Sequence, residues 1–267
     1  MITYSKKDIE KALKKAGLKK GQIVYINPEI YKFGYLIDSK SNNDYFKIFF
    51  DSIIKIIGKK GTLAINSYTF QTLRYNKKFV HEKSISSSGS FSEYVRKRKG
   101  AIRSDHPVFS VTAYGKHKKE ICGNNSLSNY GYNSPYMNFL NLNGKILNLG
   151  MEPWLNPFYH VAEFLVGVPY CYNKLTKVPY YKKNKKQSKN FTSFVTYKNL
   201  KVMRDFTKLQ RKIKTKKIFK SSKLGSGYIY CCSSKSYFNI VLEELMKDQF
   251  FLFKKKPSFK RGKIPFA

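Results

Sequence analysis

Carboxylates are scarce in this 267-residue chain: 16 Asp and Glu stand against 52 Lys and Arg, for a formal charge of +36. Cysteine and histidine are scarcer still, at four each, and there is one tryptophan. Cys122, Cys171 and the adjacent Cys231 and Cys232 show no C-x-x-C spacing and no histidine at zinc-ligand distance. That excludes the common zinc modules, so no metal is expected and the thiols are expected free and buried. No apolar run approaches the roughly 18 residues of a membrane span, and MITYSKKDIEKALKKAGLKKG lacks the apolar core of a signal peptide. Neither a span nor secretion is supported, and a reducing cytoplasm is the expected compartment. A G-x-S-x-G elbow and a Walker loop are missing, and the GSG at Gly225–Gly227 is too short to cradle a phosphate.

What is present is a globular composition, 42% hydrophobic with 21 Tyr and 21 Phe, long enough to bury roughly three quarters of its unfolded surface. A potential this positive attracts anions. Zinc fingers, recognition helices and RNP aromatics are absent, so a specific nucleic-acid partner is not expected. An anionic small molecule or glycan is the expected partner. Peripheral association with a membrane surface stays open, as does the oligomeric state, a homodimer included.

Ser5 before KDIEKALKKAG reads as a capped helix, and QIVYIN after it as a buried strand. DYFKIFFDSIIKIIG has apolar residues at helical spacing, and GTLAINSYTF reads as a second β run. A Ser-rich loop over residues 84–90, a short helix FSEYVRKRKG and a strand VFSVTAYG follow, then a long loop. GKILNLGM reads as a short strand, FYHVAEFLVG as a helix, and YYKKNKKQSKN as an exposed hairpin or loop without chemistry of its own. The tail, from SFVTYKNLKV through GYIYCCSSKSYFNIVLEELMK, returns to strand and helix patterns, with a turn at Gly225 and Gly227. Such alternation predicts an α/β fold, a central mixed sheet flanked by helices in one domain over residues 1–267.

Of the histidines, His81 and His117 fall in polar or cationic surroundings and are expected to be structural or on the surface. His160 differs, because Glu163 follows at i+3 on one helical face. A carboxylate there raises the imidazole's basicity and fixes its tautomer, which suits a general base. The competing view is a capping or core histidine near a surface glutamate. His106, in RSDHP, is read first as a structural ring bonded to backbone.

Taken together, GKKGTLAINSYTF, GSFSEYVRKRKGAIRSDHPVFSVTAYG, NYGYNSPYMNFLNLNGKILNLGM and NPFYHVAEFLVGVPY resemble the aminoglycoside 3-N-acetyltransferase family in order and spacing. With the similar tail, the resemblance spans roughly residues 8–253. It implies an acetyl-coenzyme A dependent N-acetyltransferase, unlike the GNAT fold, in which a sugar amine attacks the thioester directly. By the same resemblance His160 is the base and Glu163 its carboxylate. Asn27, Ser67, Arg103, Ser104, His106 and Ser110 are expected at the coenzyme, with Arg103 or lysines at its phosphates. Tyr68, Ser134 (with Pro135) and Glu152 are expected at the acceptor. Two stretches depart from the family: Asn27-Pro28-Glu29 replaces a His-Ser-Ser run, and Asn66-Ser67-Tyr68 replaces Pro-Thr-Phe. An altered thioester pocket is expected.

Charge bears on the acceptor. Between Glu93 and Asp205 the carboxylates are Asp105, Glu120, Glu152 and Glu163, few for a pocket that binds a polycation. The expected acceptor is therefore an amino sugar carrying phosphate, such as a sugar nucleotide or glycan precursor in polysaccharide assembly. An aminoglycoside acceptor, and a non-catalytic coenzyme A or anion-binding protein of the same fold, remain as alternatives.

Overall fold

The structure is a computed structural model and describes residues 2–75, 77–197 and 203–257. Seven strands form its main sheet, in the order β13-β14-β8-β2-β4-β7-β6. These are β2 (Ile23–Pro28), β4 (Thr62–Asn66), β6 (Ile102–Arg103), β7 (Val111–Gly115), β8 (Lys145–Leu149), β13 (Lys220–Leu224) and β14 (Gly227–Ser233). β8, β2 and β4 run parallel at the centre, and the outer strands pair antiparallel. The sheet is thus mixed, as expected.

Alternation along the central strands explains why both faces are covered. Val24, Ile26, Leu63, Ile65, Leu147 and Leu149 point into one core, while Tyr25, Ala64 and Ile146 point into the other. The first core is closed by α1 (Lys6–Lys15), α2 (Asn42–Ile57) and α4 (Ser90–Arg96). The second is closed by α5 (Lys118–Cys122), α6 (Pro135–Asn141), α7 (Phe158–Val166), α8 (Thr207–Thr215) and α9 (Ser234–Lys247). Short local signals set these helices. Ser5 and Asp8 form a reciprocal capping box at α1, Ser41 caps α2, and Gly167 ends α7 in the left-handed region at φ 68°. At the β13–β14 turn, Gly225 has φ 52°, and a Cβ there would lie 1.9 Å from the Phe33 carbonyl oxygen.

Smaller strands complete the fold: β1 (Thr3–Tyr4) with β3 (Tyr35–Leu36), β5 (Phe79–Val80) with β10 (Tyr180–Lys182) and β11 (Lys185–Gln187), and β9 (Cys171–Thr176) with β12 (Phe191–Thr196). α3 (Phe70–Arg74) follows β4. All four cysteines are free and buried. Among the described residues no helix is long and apolar enough to cross a membrane, and no cluster of His, Cys, Asp or Glu could hold a metal ion.

Four expectations need correction. The run GTLAINSYTF stops being strand at Asn66, and VFSVTAYG starts as strand only at Val111. The His106 Nδ1 accepts the backbone N–H groups of Val108 and Phe109, so beyond the strand ends the pairing is one-sided: the carbonyls of Ser110 and Val108 accept from the Ser67 and Thr69 N–H groups, and no N–H returns from Val108 or Phe109. The long loop after VFSVTAYG contains α5 and α6; Ser134 caps α6 by accepting from the Met137 N–H, with Pro135 in the first turn. YYKKNKKQSKN is indeed a hairpin, turning through Lys183 and Asn184 at φ 50° and 60°, but it is anchored. Tyr180 is buried between Phe79 and Phe191, and Lys182 and Lys189 both reach Asp105. Of the expected strand SFVTYKNLKV, residues 198–202 lie outside the described ones.

Candidate active site

The parallel strands β2, β4 and β8 end on one edge of the sheet, at Pro28, Asn66 and Leu149. In open α/β sheets that edge is where ligands bind. Both departures from the family pattern lie there. Asn27 is buried and donates from Nδ2 to Oδ1 of Asn148 at 2.8 Å, and Asn148 in turn donates to the carbonyl of Glu152 at 2.7 Å. Asn66 accepts from the hydroxyls of Tyr25 and Tyr136 (2.8 Å for the latter), and Tyr136 meets the Tyr68 hydroxyl at 2.5 Å. Tyr130 packs against Tyr136 at 5.1 Å and stacks on His160 at 5.4 Å between ring centres. A wall of neutral phenols therefore links the ends of β2 and β4 to the imidazole on α7.

α7 presents His160 and Glu163 on one face, as i+3 spacing requires. Their contact is 2.7 Å from Nδ1 to Oε2. Glu163 is fully buried, which removes the view of it as a surface glutamate. Its Oε1 accepts from the Tyr170 hydroxyl at 2.8 Å, and Arg204 donates to both oxygens, with Nη2 at 2.9 and 3.0 Å. Burial by itself raises a carboxyl, yet His160, Arg204 and the Tyr170 hydroxyl together hold Glu163 below its ordinary 4.5. Burial lowers His160 below its ordinary 6.5, with Glu163 opposing and Arg204 reinforcing that shift. At neutral pH the imidazole is uncharged, with its proton on Nδ1 facing the carboxylate and the Nε2 lone pair available. The His160 side chain is 26% exposed, against none for Glu163.

Other expected residues divide by what their polar atoms touch. His106 donates from Nε2 to the Thr192 carbonyl at 3.2 Å while Nδ1 takes two N–H groups, so neither ring nitrogen is left for a ligand. Burial pushes it down to about 4. This is the structural ring of the first reading. Arg103 is corrected as a phosphate ligand: it is buried, with Nη1 on the Ser84 carbonyl, Nη2 on the Ser67 carbonyl and Nε on the Ser110 hydroxyl, at 2.6, 2.7 and 2.8 Å. Ser110 donates to the Ser67 carbonyl, Ser67 meets Thr112 at 2.5 Å, and Ser104 accepts from the Val111 N–H. These side chains brace the loop behind the site. Ser134 caps α6, and Glu152 is exposed beside Trp154, Lys214 and Lys217 in a separate cavity of about 610 Å³. His81 and His117 are structural as expected, bonded to the Arg103 carbonyl and to Glu120.

Sequence reasoning missed Arg204, Tyr170 and Tyr130. One signal existed for Arg204: only seven of the 52 basic residues are arginine, so in a lysine-rich chain an arginine marks a need for its planar fork. A larger cavity, of about 790 Å³, opens beside Thr69 and is lined by Lys77, Lys78, Lys83, Tyr181 and Asn184, with no carboxylate in its lining.

Comparison with known proteins gives a family and a fold. The family model described as aminoglycoside 3-N-acetyltransferase matches residues 42–246. The fold is similar to the solved structure "AAC-IIIb binary with CoASH" at a TM-score of 0.79, with 18% identity over 96% of this chain and 100% of that one. It is similar to sisomicin-bound AAC-VIa at 0.78, with 17% identity over 92% and 98%. The YokD protein from Bacillus subtilis is similar at 0.75, with 19% identity over 92% and 100%.

Proposed function

This chain belongs to the aminoglycoside 3-N-acetyltransferase family, and we propose that it transfers an acetyl group from acetyl-coenzyme A to the amine of a phosphate-bearing amino sugar. The observation that carries the reading is the 2.7 Å His160–Glu163 contact beside the carboxyl ends of the parallel strands. An ammonium cannot attack a carbonyl, so a base must first take its proton. His160 Nε2 takes it while Glu163 holds Nδ1–H and stabilises the imidazolium that forms. The amine nitrogen then bonds to the thioester carbonyl carbon, the carbon–sulfur bond breaks, and coenzyme A leaves as the thiolate. The proton on His160 passes to that thiolate, and the acylated nitrogen releases its second proton to water, so the ammonium and thioester become the amide, the free thiol and one solvent proton.

Acetyl-coenzyme A as donor is supported by the neighbour solved with CoASH. The anionic acceptor is supported by charge. Asp105 is neutralised by Lys182 and Lys189, and Glu163 by Arg204, which leaves no free buried carboxylate among these residues to receive a polycation. The lysine-lined cavity at Thr69 has a volume typical of small-molecule sites and suits the acceptor's phosphate.

A second reading, acetylation of an aminoglycoside, is favoured by the sisomicin-bound neighbour. Thiol release from acetyl-coenzyme A, measured in moderate salt with a panel of amino-sugar nucleotides and aminoglycosides, separates the two. Release with an amino-sugar nucleotide and not with aminoglycosides is expected. Release with aminoglycosides alone transfers the assignment to the second reading. Coenzyme A binding without release on any amine leaves a non-catalytic member of the fold.

A further inference from the structure

Arg204 comes from a segment 41 residues beyond Glu163 and reaches it through both carboxylate oxygens, with Nε on Oε1 at 3.2 Å and Nη2 on Oε1 and Oε2 at 2.9 and 3.0 Å. The same Nη2 donates to the Thr196 hydroxyl of β12 at 3.0 Å, so the guanidinium is itself held in place. Its central carbon lies 5.5 to 5.9 Å from the ring centres of Tyr159, Tyr170 and Phe253.

The charges facing the pair can be counted from every element packed on it. Tyr130 stacks on His160 from the loop before α6, Tyr159 precedes it on α7, and Tyr170 and Cys171 flank Glu163 at the start of β9. Burial pushes all four upward, Tyr159 and Cys171 to about 12, so none carries charge in the working range. Among the described residues packed on the pair, His160, Glu163 and Arg204 are left. With Arg204 present, protonating His160 takes the cluster from net zero to +1; without it, the same proton takes a buried cluster from −1 to zero.

We infer that Arg204 is a positioning residue that holds the His160–Glu163 pair unprotonated at neutral pH, by supplying through a two-oxygen contact the positive charge that a proton on His160 otherwise provides. The inference rests on the acetyltransferase reading for its role in turnover, but not for its electrostatic content. A base that works near neutral pH must be free of its proton there. Burial lowers the imidazole, Glu163 opposes that, and Arg204 adds its positive charge on the side of burial while leaving the Nδ1–H···Oε2 bond intact.

The test compares the wild type with Arg204→Met and Arg204→Lys. The titration of the His160 ring is followed by NMR in the absence of any substrate; with four histidines in the chain, the signal is assigned by its loss in His160→Ala. Arg204→Met is expected to move the protonation of the pair to higher pH by about one to two units, the scale of an opposite charge at this range. The acid limb of kcat/KM is expected to move with it, lowering kcat/KM roughly tenfold or more on that limb. Arg204→Lys keeps the charge and is expected to titrate within a few tenths of a unit of wild type by the same argument, while kcat falls because the fork is lost. A purely structural arginine lowers stability or kcat at every pH and leaves the titration where it was; that result in folded Arg204→Met overturns the inference. Should Arg204→Met not fold, Arg204→Gln, which keeps a hydrogen bond without the charge, reads the same shift. If no amine supports turnover in any form, the NMR titration alone decides, so the failure of the acetyltransferase reading and the failure of this inference stay distinguishable.

Discussion

Nδ1 of His160 lies 2.7 Å from Oε2 of Glu163, a carboxylate with no exposed surface. The partner is inside and the imidazole is partly exposed, so under the proposed mechanism Glu163 holds Nδ1 and Nε2 takes the proton. His160→Ala is therefore expected to lower kcat by about 10²- to 10⁴-fold, with coenzyme A affinity changed by no more than a few-fold. Steady-state thiol release and calorimetric titration of coenzyme A check the two halves. A rate within a few-fold of wild type removes His160 as the base, and His106, with both nitrogens bonded to backbone, offers no replacement.

Glu163→Gln tests the other side of the contact. It leaves Arg204 half-buried beside a neutral amide, and breaking a buried pair in this way costs about 3 kcal/mol or more. In a chain of this size that corresponds to a fall in Tm of roughly 6 to 10 °C. The pH dependence has a definite sign. Glu163 is held below its ordinary 4.5, so its contribution is complete above that value and is lost as pH falls through the lower folded one. Chemical denaturation at a series of pH values should show that acid-side loss in the wild type and not in Glu163→Gln.

His106 contributes a second acid sensitivity at higher pH. Its folded value is about 4 against an ordinary 6.5, so as pH falls through this window the unfolded chain takes up a proton that the native ring refuses. Stability should decline by about 3 kcal/mol across that interval and flatten below it. In His106→Asn the chain should be less stable at pH 7, because the bonds to Val108, Phe109 and Thr192 are lost, but the decline between pH 6.5 and 4 should shrink by one proton's worth of slope. An unchanged slope in the variant assigns the acid sensitivity elsewhere.

The lysine-lined cavity makes a prediction about binding rather than rate. Lys77→Ala combined with Lys83→Ala should raise KM for a phosphate-bearing acceptor by about tenfold, the loss of roughly 1.4 kcal/mol, with kcat nearly unchanged. The effect should fade in high salt, as exposed charges are screened. A rise confined to acetyl-coenzyme A gives the cavity to the donor instead.

How much of this was legible in the chain depends on how far apart the partners lie. The α1 helix announced itself because Ser5 and Asp8 cap it from three residues apart, and α7 announced its histidine–carboxylate pair for the same reason, His160 and Glu163 being one turn from each other. Where strands ended was harder. VFSVTAYG alternates well enough to be strand throughout, but the His106 ring takes the N–H groups of Val108 and Phe109, so its first residues pair with the chain after β4 through their carbonyls alone. The α6 helix was hidden because Ser134-Pro135 suits a binding loop and a helix start equally well.

The direction a side chain takes was the least legible property. Arg103 in a basic protein invites a phosphate, yet its guanidinium turns inward to the carbonyls of Ser67 and Ser84. Asp105 finds its lysines 77 and 84 residues later, and Glu163 finds Arg204 across 41. By itself the sequence determined the net positive charge and what short-range forces determine: the alternating pattern of an α/β sheet, the capped helices, and the i+3 pair on α7. Only the tertiary structure decided that Glu163 is buried, that Arg204 balances its charge, and that the phenols of Tyr68, Tyr136 and Tyr130 line up between the strand ends and His160. Those outcomes depend on which distant groups are brought into one low-dielectric space, where a charge must find its partner or give up its proton.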